Sequence, residues 1–139
     1  MNSLDIDLKL ISSSDYRFLF NLLKERDLRA NISHRKMPTF SQHIKFINSK
    51  PYSKWYIIKK SNSKLGSIYL SKNNEIGIFL KKQFHGKGFA TEALKLLIEK
   101  NPRRRYLANV SPKNQLSKNF FIKNNFKLIQ YTFEKNMDE

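Results

Sequence analysis

The chain has 139 residues, no cysteine and three histidines, and 27 Lys and Arg against 11 Asp and Glu give it a formal net charge of +16. This length suits one domain, 1–139, with an apolar core that needs no staples. Without cysteine there are no disulfides, thiolate metal sites or cysteine nucleophiles, and three scattered histidines give no reason to expect a metal site. No run approaches the roughly 18 apolar residues of a membrane helix, and no signal-peptide-like region opens the sequence, so we expect a cytoplasmic protein that does not contact membranes.

The positive charge attracts polyanions in general, among them nucleic acids and nucleotide-like cofactors. Lys, Asn, Ile and Phe are all abundant and all use A/T-rich codons, so a biased genome explains the charge as well as a selected partner does. Arg103-Arg104-Arg105 is the only tight basic cluster, and it is too short for a nucleic-acid arm. We therefore do not expect nucleic acid to be the main partner.

The N-terminal segment predicts one strand and two helices. Residues 4–11 alternate apolar and polar side chains, which is the pattern of a half-buried strand. Ser14 marks the start of a helix whose apolar residues recur at helical spacing. Ser41 is the expected cap of a second, short helix with Ile44 and Ile47 on one face.

The middle of the chain predicts an antiparallel meander followed by a helix. Strand patterns cover residues 54–60, 65–71 and 75–80, and the turns between them are short. After Gly88 the apolar period changes to that of a helix.

The last third predicts a strand over 105–110, a helix over 115–124 with Leu116, Phe120 and Phe121 facing inward, and a final strand over 126–133. The resulting order, βααβββαβαβ, indicates a mixed α/β layer architecture. An exposed final strand could pair between protomers, so a homodimer is one expectation.

One short turn carries the clearest chemical signal. It leaves a strand and enters a helix, and glycines at 86 and 88 let its backbone approach a ligand closely. The helix start adds roughly half a positive charge, and Lys87 adds a cation, which together suit a pyrophosphate. The pattern is not a P-loop, because G-x-x-x-x-G-K-S/T is absent, and a G-x-G-x-x-G fingerprint fails at Thr91. The turn reads His85-Gly86-Lys87-Gly88-Phe89-Ala90.

The stretch from Glu75 to Lys100 resembles motif A of the GNAT superfamily of acetyl-CoA-dependent N-acetyltransferases: Arg or Gln, two residues, Gly, one residue, then Gly or Ala. Downstream, Asn114-x-x-Ser117 followed by the Phe-rich run 120–126 is similar to motif B. The order of elements also matches over nearly the full chain. The resemblance implies an α/β fold with a mixed, mostly antiparallel sheet, split between two central strands and covered by helices on both faces.

The resemblance further implies that acetyl-CoA lies in the split between the strands at 75–81 and 105–110. The backbone of Phe79 and Leu80 would pair with the pantetheine amides, and an N–H there would polarise the acetyl carbonyl. Asn114 would reach the pantetheine arm. The residues implied for the pyrophosphate are His85, Gly86, Lys87, Gly88, Phe89 and Ala90.

One addition to the family pattern and one departure from it bear on the site. His85 lies between Gln83, which fills the Arg or Gln position, and Gly86, and a histidine can donate to phosphate. Phe121 stands where relatives carry a general-acid tyrosine, and it cannot donate a proton. Ser117, Tyr131 or water would then protonate the leaving thiolate, which is a passable leaving group because a thiol titrates at about 8.5. Glu75 begins the strand where relatives carry a base, and its alternative role is that of a solvated strand-end carboxylate.

The acceptor would be set by residues 24–60, which resemble a subgroup that acetylates amino-sugar nucleotides, as in pseudaminic-acid-type pathways. Arg29, Arg35 and His43 would hold a diphosphate, and Trp55 or Tyr56 would stack on a base or sugar, although residues such as His43 and Trp55 are more often part of a core. Enzymes acting on ribosomal proteins or protein N-termini share the Gly-Lys-Gly-Phe-Ala-Thr-Glu-Ala-Leu helix start, so a protein acceptor stays open. So do a non-catalytic acetyl-CoA-binding domain and a nucleic-acid-binding module.

Overall fold

The structure is a computed structural model that describes residues 4–26 and 37–138. The order of elements predicted up to residue 100 is confirmed, and a further helix follows. In chain order the elements are strand β1 (Ile6–Leu10), helix α1 (Tyr16–Glu25), helix α2 (Phe40–Asn48), strands β2 (Lys54–Lys60), β3 (Ser63–Leu70) and β4 (Ile76–Leu80), and helices α3 (Phe89–Lys100) and α4 (Gln115–Lys123).

The four strands form one antiparallel sheet in the order β1-β2-β3-β4. Successive side chains point to opposite faces, so each strand contributes to two layers. On one face, Ile58 and Ile68 pack beneath Leu97 of α3. On the other face, Ile57 packs with Leu19 of α1 and Ile47 of α2. The predicted mixed α/β fold with helices on both faces is thus confirmed.

Helix α2 begins earlier than predicted. Its cap is Thr39 rather than Ser41: the Thr39 Oγ1 accepts from the Gln42 N–H at 3.1 Å, and the Gln42 side chain accepts from the Thr39 N–H at 2.9 Å. This reciprocal pair is a capping box, which satisfies two of the amides that a helix start leaves without partners. The buried positions of the helix are His43 and Ile47, and Ile44, predicted on the same face as Ile47, is half-buried.

The C-terminal third departs most from prediction. Residues 105–110 do not form a strand; only Leu107 is bridged, in parallel, to Glu75. Residues 126–133 join no strand in the part of the chain that the structure describes. Leu116, predicted to face inward, is 78% exposed, and Phe120 is the residue of α4 that packs on the core.

Candidate active site

Strand β4 forms the last edge of the sheet, and its hydrogen-bonding register decides which backbone groups are available. The Lys81 N–H donates to the Leu65 carbonyl at 2.9 Å, so the odd-numbered residues of β4 bond to β3. The backbone groups of Ile78 and Leu80 point the other way, into the split. Of the two residues predicted to polarise a carbonyl, only Leu80 therefore has its N–H on the open side, and the Phe79 N–H faces β3.

The split opens where strand β4 and residues 105–110 separate from each other. The Ile76 N–H donates to the Leu107 carbonyl at 2.7 Å, and the Leu107 N–H donates to the Asn74 carbonyl at 2.8 Å. No further bridge joins residues 105–110 to β4 within the described ranges. One edge of β4 beyond Ile76 is consequently free to pair with an extended ligand.

The turn at 85–90 has the geometry of an anion site. Gly86 and Gly88 adopt left-handed φ angles of +73° and +84°, which favour glycine. Gly88 is also the N-cap of α3 and brings no side chain to accept from the first amides of the helix. Lys87 is exposed beside them. Uncapped amides, the helix dipole and an adjacent cation fit a pyrophosphate.

His85 lies between this turn and the strand edge. Its exposed ring contacts the Leu80 carbonyl through Nε2 at 2.9 Å. That carbonyl is one of the groups that point into the split. The histidine thus holds the end of β4 rather than reaching towards the uncapped amides of α3.

Asn114 and Ser117 begin α4. The Asn114 Oδ1 caps the helix by accepting from the Ser117 N–H at 3.1 Å, and both residues are half-buried. The Phe121 ring packs edge-on against Phe120 and Phe126, with ring centroids 5.0 and 5.1 Å away. An aromatic cluster therefore occupies the place of the family's tyrosine and offers no proton.

Glu75 lies immediately before β4, at the point where the split begins. Its Oε1 accepts from the Ser71 hydroxyl at 3.1 Å, and its Oε2 accepts from the Asn109 amide at 2.6 Å. Two neutral donors from opposite sides of the split thus fix a half-buried carboxylate. The sequence reasoning missed Ser71 and Asn109, because nothing in their spacing shows that they meet at Glu75.

The face of β4 that carries Glu75 is lined with aromatic rings. Tyr69 of β3 lies flat over Gly77, where a Cβ would come within 2.2 Å of the ring. The Tyr69 ring stacks on Tyr52 at 3.7 Å. The Arg26 guanidinium lies 4.2 Å from the centre of the Phe79 ring. Burial lowers the pKa of Arg26 and raises the pKa values of Tyr52 and Tyr69, yet arginine keeps its charge in proteins.

Two predicted acceptor residues join this aromatic face. The Trp55 ring lies 4.8 Å from Tyr52 and 6.2 Å from Phe46, and His43 stacks on Phe46 at 6.2 Å. Burial lowers the pKa of His43, so its ring is neutral near pH 7. The His43 Nδ1 and the Trp55 Nε1 are buried without a hydrogen-bond partner among the described residues. The other two predicted contacts, Arg29 and Arg35, lie outside the described residues.

Buried polar atoms without partners destabilise a fold by about 1–3 kcal/mol each, so the two nitrogens are candidate ligand contacts. The structure therefore brings Glu75, Trp55 and His43 to one face of the sheet. Tyr69, Tyr52 and Arg26 join them, and the sequence reasoning did not assign any of these three to the site.

No helix within residues 4–26 and 37–138 is long and apolar enough to cross a membrane.

Comparison with known proteins agrees with this geometry. The family described as "Acetyltransferase (GNAT) domain" matches residues 6–127. No curated protein matches the chain. Among solved structures, an acetyltransferase from Thermus thermophilus is 15% identical, with a TM-score of 0.73 and coverage of 94% of this chain and 92% of that one.

Two further similar structures are complexes with coenzyme A. A ribosomal L7/L12 α-N-protein acetyltransferase is 20% identical, with a TM-score of 0.72 and coverage of 92% and 83%. A spermidine N-acetyltransferase from Vibrio cholerae, bound to CoA and spermine, is 18% identical, with a TM-score of 0.72 and coverage of 88% and 80%. The family match and the shared fold together establish that the chain belongs to the GNAT acetyltransferase family and is an N-acetyltransferase that uses acetyl-CoA.

Proposed function

We propose that this enzyme acetylates the primary amine of a small molecule by direct attack, with Glu75 as the base. One observation carries the proposal: the Glu75 carboxylate is fixed by Ser71 and Asn109 at 3.1 and 2.6 Å where the split opens. The backbone groups of Ile78 and Leu80 point into the same split. The proposed base thus lies immediately before the strand whose edge is open to the cofactor.

Acetyl-CoA supplies the activated acetyl thioester. The free backbone N–H and carbonyl of Ile78 would pair with its pantetheine amides. The amides of residues 86–90 and the Lys87 ammonium would hold its pyrophosphate. The Asn114 Nδ2 finds no partner within the described part of the chain, so it can donate to the pantetheine arm while Oδ1 caps α4.

An amine is protonated near neutral pH and must lose a proton before it attacks a carbonyl carbon. The Glu75 carboxylate would accept that proton, directly or through one water. The Leu80 N–H would donate a hydrogen bond to the carbonyl oxygen as negative charge develops there. The sulfur would leave as a thiolate, because a thiol titrates at about 8.5, and the Ser117 hydroxyl at the first turn of α4 would donate a hydrogen bond to it in place of the family's tyrosine.

We further propose an amino sugar, free or linked to a nucleotide, as the acceptor. Tyr69, Tyr52 and Trp55 offer aromatic faces that suit sugar rings and bases. The buried His43 Nδ1 and Trp55 Nε1 suit hydroxyl or phosphate oxygens. Arg26, with Arg29 and Arg35 as predicted further contacts, favours a negative charge on the acceptor.

The positive charge of the protein favours some candidate acceptors over others. A polyamine would approach a protein of net charge +16 and a site that holds Arg26, so electrostatic repulsion disfavours it. A protein amino terminus is the second candidate, because a similar structure acts on ribosomal protein L7/L12. An acidic protein would suit the positive charge of this chain.

These proposals are tested by measuring the free thiol of the CoA that the reaction releases. The chain has no cysteine, so the protein contributes no background thiol signal. The acceptors to compare are nucleotide-linked amino sugars, free amino sugars, peptides with free N-termini and spermidine. We expect the highest kcat/KM for the nucleotide-linked amino sugars. Turnover confined to peptides or spermidine would contradict the acceptor class. Binding of acetyl-CoA without turnover of any amine would contradict the enzymatic proposal as a whole.

A further inference from the structure

Tyr69 of β3 places its hydroxyl over the backbone of β4. The register of the two strands pairs Tyr69 with Gly77, and a Cβ on Gly77 would lie within 2.5 Å of the Tyr69 Cζ and hydroxyl oxygen. The far end of the phenol therefore covers the strand. Gly77 is buried, and a glycine inside a strand often marks such a close approach. The missing side chain of Gly77 is thus what gives the phenol its place.

The Tyr69 hydroxyl lies on the same face of β4 as the proposed base. Alternate residues of a strand share a face, so Glu75, Gly77 and Phe79 project to one side of β4. The Tyr69 and Phe79 rings are neighbours on this side, with centroids 6.4 Å apart. Ile78 follows Gly77 and turns its backbone groups into the split. The hydroxyl is therefore next to both the proposed base and the open edge of the strand.

The phenol of Tyr69 is fixed in position and keeps its proton. The Tyr52 ring stacks on it at 3.7 Å between centroids, with an angle of 3° between the planes, so a turn of the Tyr69 ring would break this stack. Burial raises the pKa of Tyr69, and the Glu75 carboxylate adds to the rise. Because tyrosine ordinarily titrates near 10, the group is a neutral phenol near neutral pH. Its oxygen can accept hydrogen bonds.

The spacing between this hydroxyl and the Glu75 carboxylate suits one nitrogen atom. Positions that share a face of a strand lie about 6.5 Å apart, which is the separation expected between Glu75 and the phenol end above Gly77. A nitrogen that donates to an oxygen on each side spans about 6 Å, since each N–H···O distance is about 2.9 Å. Ser71 and Asn109 use only two of the acceptor sites of the carboxylate. The gap therefore suits an ammonium group, which brings three N–H donors.

We propose that Tyr69 is a further catalytic residue, whose hydroxyl oxygen holds the amine of the acceptor between itself and the Glu75 carboxylate. The inference rests on the proposed function, because it gives a second contact to the amine that Glu75 deprotonates. The bound ammonium donates one N–H to the Tyr69 oxygen and another to Glu75. Its third N–H points towards the split, where the acetyl group is expected. Tyr69 thus aligns the nitrogen before the proton is removed.

Both contacts serve the chemical step. Glu75 accepts one proton, so an N–H bond breaks and its electron pair stays on the nitrogen. A turn about the carbon–nitrogen bond directs this lone pair at the acetyl carbon, while the two remaining N–H groups donate to Tyr69 and Glu75. The nitrogen–carbon bond forms, the carbon–sulfur bond breaks as the thiolate leaves, and the second proton passes from the nitrogen to water. Only a primary amine has both N–H groups at this stage.

Tyr69→Phe tests the contact, because it removes the hydroxyl and keeps the ring that stacks on Tyr52. Steady-state kinetics would use acetyl-CoA and whichever of the nucleotide-linked amino sugars, free amino sugars, peptides and spermidine has the highest kcat/KM. We expect kcat to fall about tenfold or more, with the KM of the acceptor within about threefold and the Kd of acetyl-CoA unchanged. Tyr16→Phe is the matched control, because that hydroxyl donates to the Asn48 side chain in the layer of α1 and α2. It should keep the wild-type kcat.

A double variant separates this role from a structural one. If both residues hold the same nitrogen, Glu75→Gln with Tyr69→Phe should be at most about threefold slower than Glu75→Gln alone, because the effects of groups that act as a unit are not additive. A full further loss in the double variant would overturn the inference. So would a wild-type kcat from Tyr69→Phe while Glu75→Gln is impaired, and the proposed function would then stand without it. A wild-type protein that acetylates no amine would refute both.

Discussion

The two sides of β4 recognise their ligands by different means. On the split side, the available groups are the backbone N–H and carbonyl of Ile78 and the N–H of Leu80, continued by the uncapped start of α3. On the Glu75 side, the groups are side chains: a carboxylate, three stacked or adjoining aromatic rings and the guanidinium of the half-buried Arg26. A backbone site tolerates changes of sequence, and a side-chain site is specific for its occupant. The first suits a cofactor that the whole family shares, and the second suits an acceptor that varies.

Glu75→Gln should give the largest separation of the two sides. The amide keeps the size of the side chain but cannot accept the proton of the amine, so we expect kcat to fall by about 10²-fold or more. Binding of acetyl-CoA should be unchanged, because the split side is untouched. Turnover would be followed by thiol release and cofactor affinity by calorimetry.

Glu25→Gln is the matched control for that substitution. The Glu25 carboxylate accepts from the Lys82 N–H at 3.2 Å, near the other end of β4, so the change removes an equivalent charge away from the proposed base. We expect wild-type turnover from it. A similar loss in both variants would mean that charge in general matters, and a loss below about twofold for Glu75→Gln would leave Glu75 with a structural role only.

Gly77→Ala should impair the acceptor side alone. The new Cβ would lie 2.2 Å from the Tyr69 ring, which must move and break its stack on Tyr52. Overpacking of this kind costs about 1–3 kcal/mol, so we expect the KM of the acceptor to rise about tenfold or more. A rise in the Kd of acetyl-CoA of the same size would show that the two sides are not separate.

Gly86→Ala is the counterpart on the split side. A Cβ there would meet nothing within 4 Å, but the φ of +73° strains any residue with a side chain. The strain amounts to about 1–2 kcal/mol, which corresponds to a cofactor affinity weakened about tenfold. The KM of the acceptor should stay constant when acetyl-CoA is saturating. If the Kd of acetyl-CoA and the KM of the acceptor both keep their wild-type values, the turn does not contact the cofactor.

His43 should give the smallest effect, seen in stability rather than turnover. Burial lowers its pKa in the folded state from 6.5, so the unfolded chain binds more protons than the folded one as the pH falls below that value. Stability contributed by the neutral ring is present above pH 6.5 and is lost as the pH falls. The melting temperature of the wild type should therefore drop more between pH 7.5 and about 5.5 than that of His43→Gln.

His85→Gln is the control for this pH dependence. The substitution removes an exposed histidine and keeps the buried one, so the wild-type drop in melting temperature should persist. An equal drop in wild type and His43→Gln would show that other groups account for the acid sensitivity.

The comparison also explains what the sequence could predict. The cofactor side depends on neighbours in sequence, because a strand end, two glycines and a helix start lie within residues 75–100. Its position follows from the spacing of Gly86 and Gly88, and both adopt the left-handed angles that such a turn requires. What the spacing could not show is which amides of β4 are free, since that depends on the register with β3.

The acceptor side depends on residues far apart in the chain. Tyr69 meets Gly77 only through the pairing of β3 with β4, and Arg26 reaches Phe79 from the end of α1. Neither pairing leaves a periodic signal. Ser71 and Asn109 went unnoticed for the same reason, because each contacts Glu75 through the closing of a turn or a bridge.

Two strand predictions were wrong, and in both segments the described part of the chain supplies no partner strand. Residues 105–110 and 126–133 have the alternation of strands, but alternation reports a half-buried face and not the chain that covers it. One bridge at Leu107 is all that forms for the first segment. The second segment keeps a strand's alternation, yet it joins no sheet within the described ranges.

The most direct test of two separate sides is a titration followed by ¹H–¹⁵N NMR. Trp55 is the single tryptophan, so its indole N–H gives one isolated signal on the acceptor face, and the amides of Ile78, Leu80 and residues 86–90 report on the split. We expect acetyl-CoA to shift those amides and to leave the Trp55 indole in place, and a subsequent amino-sugar nucleotide to shift the indole. A cofactor that moves the indole while the amides of 86–90 stay unchanged would contradict this division of β4.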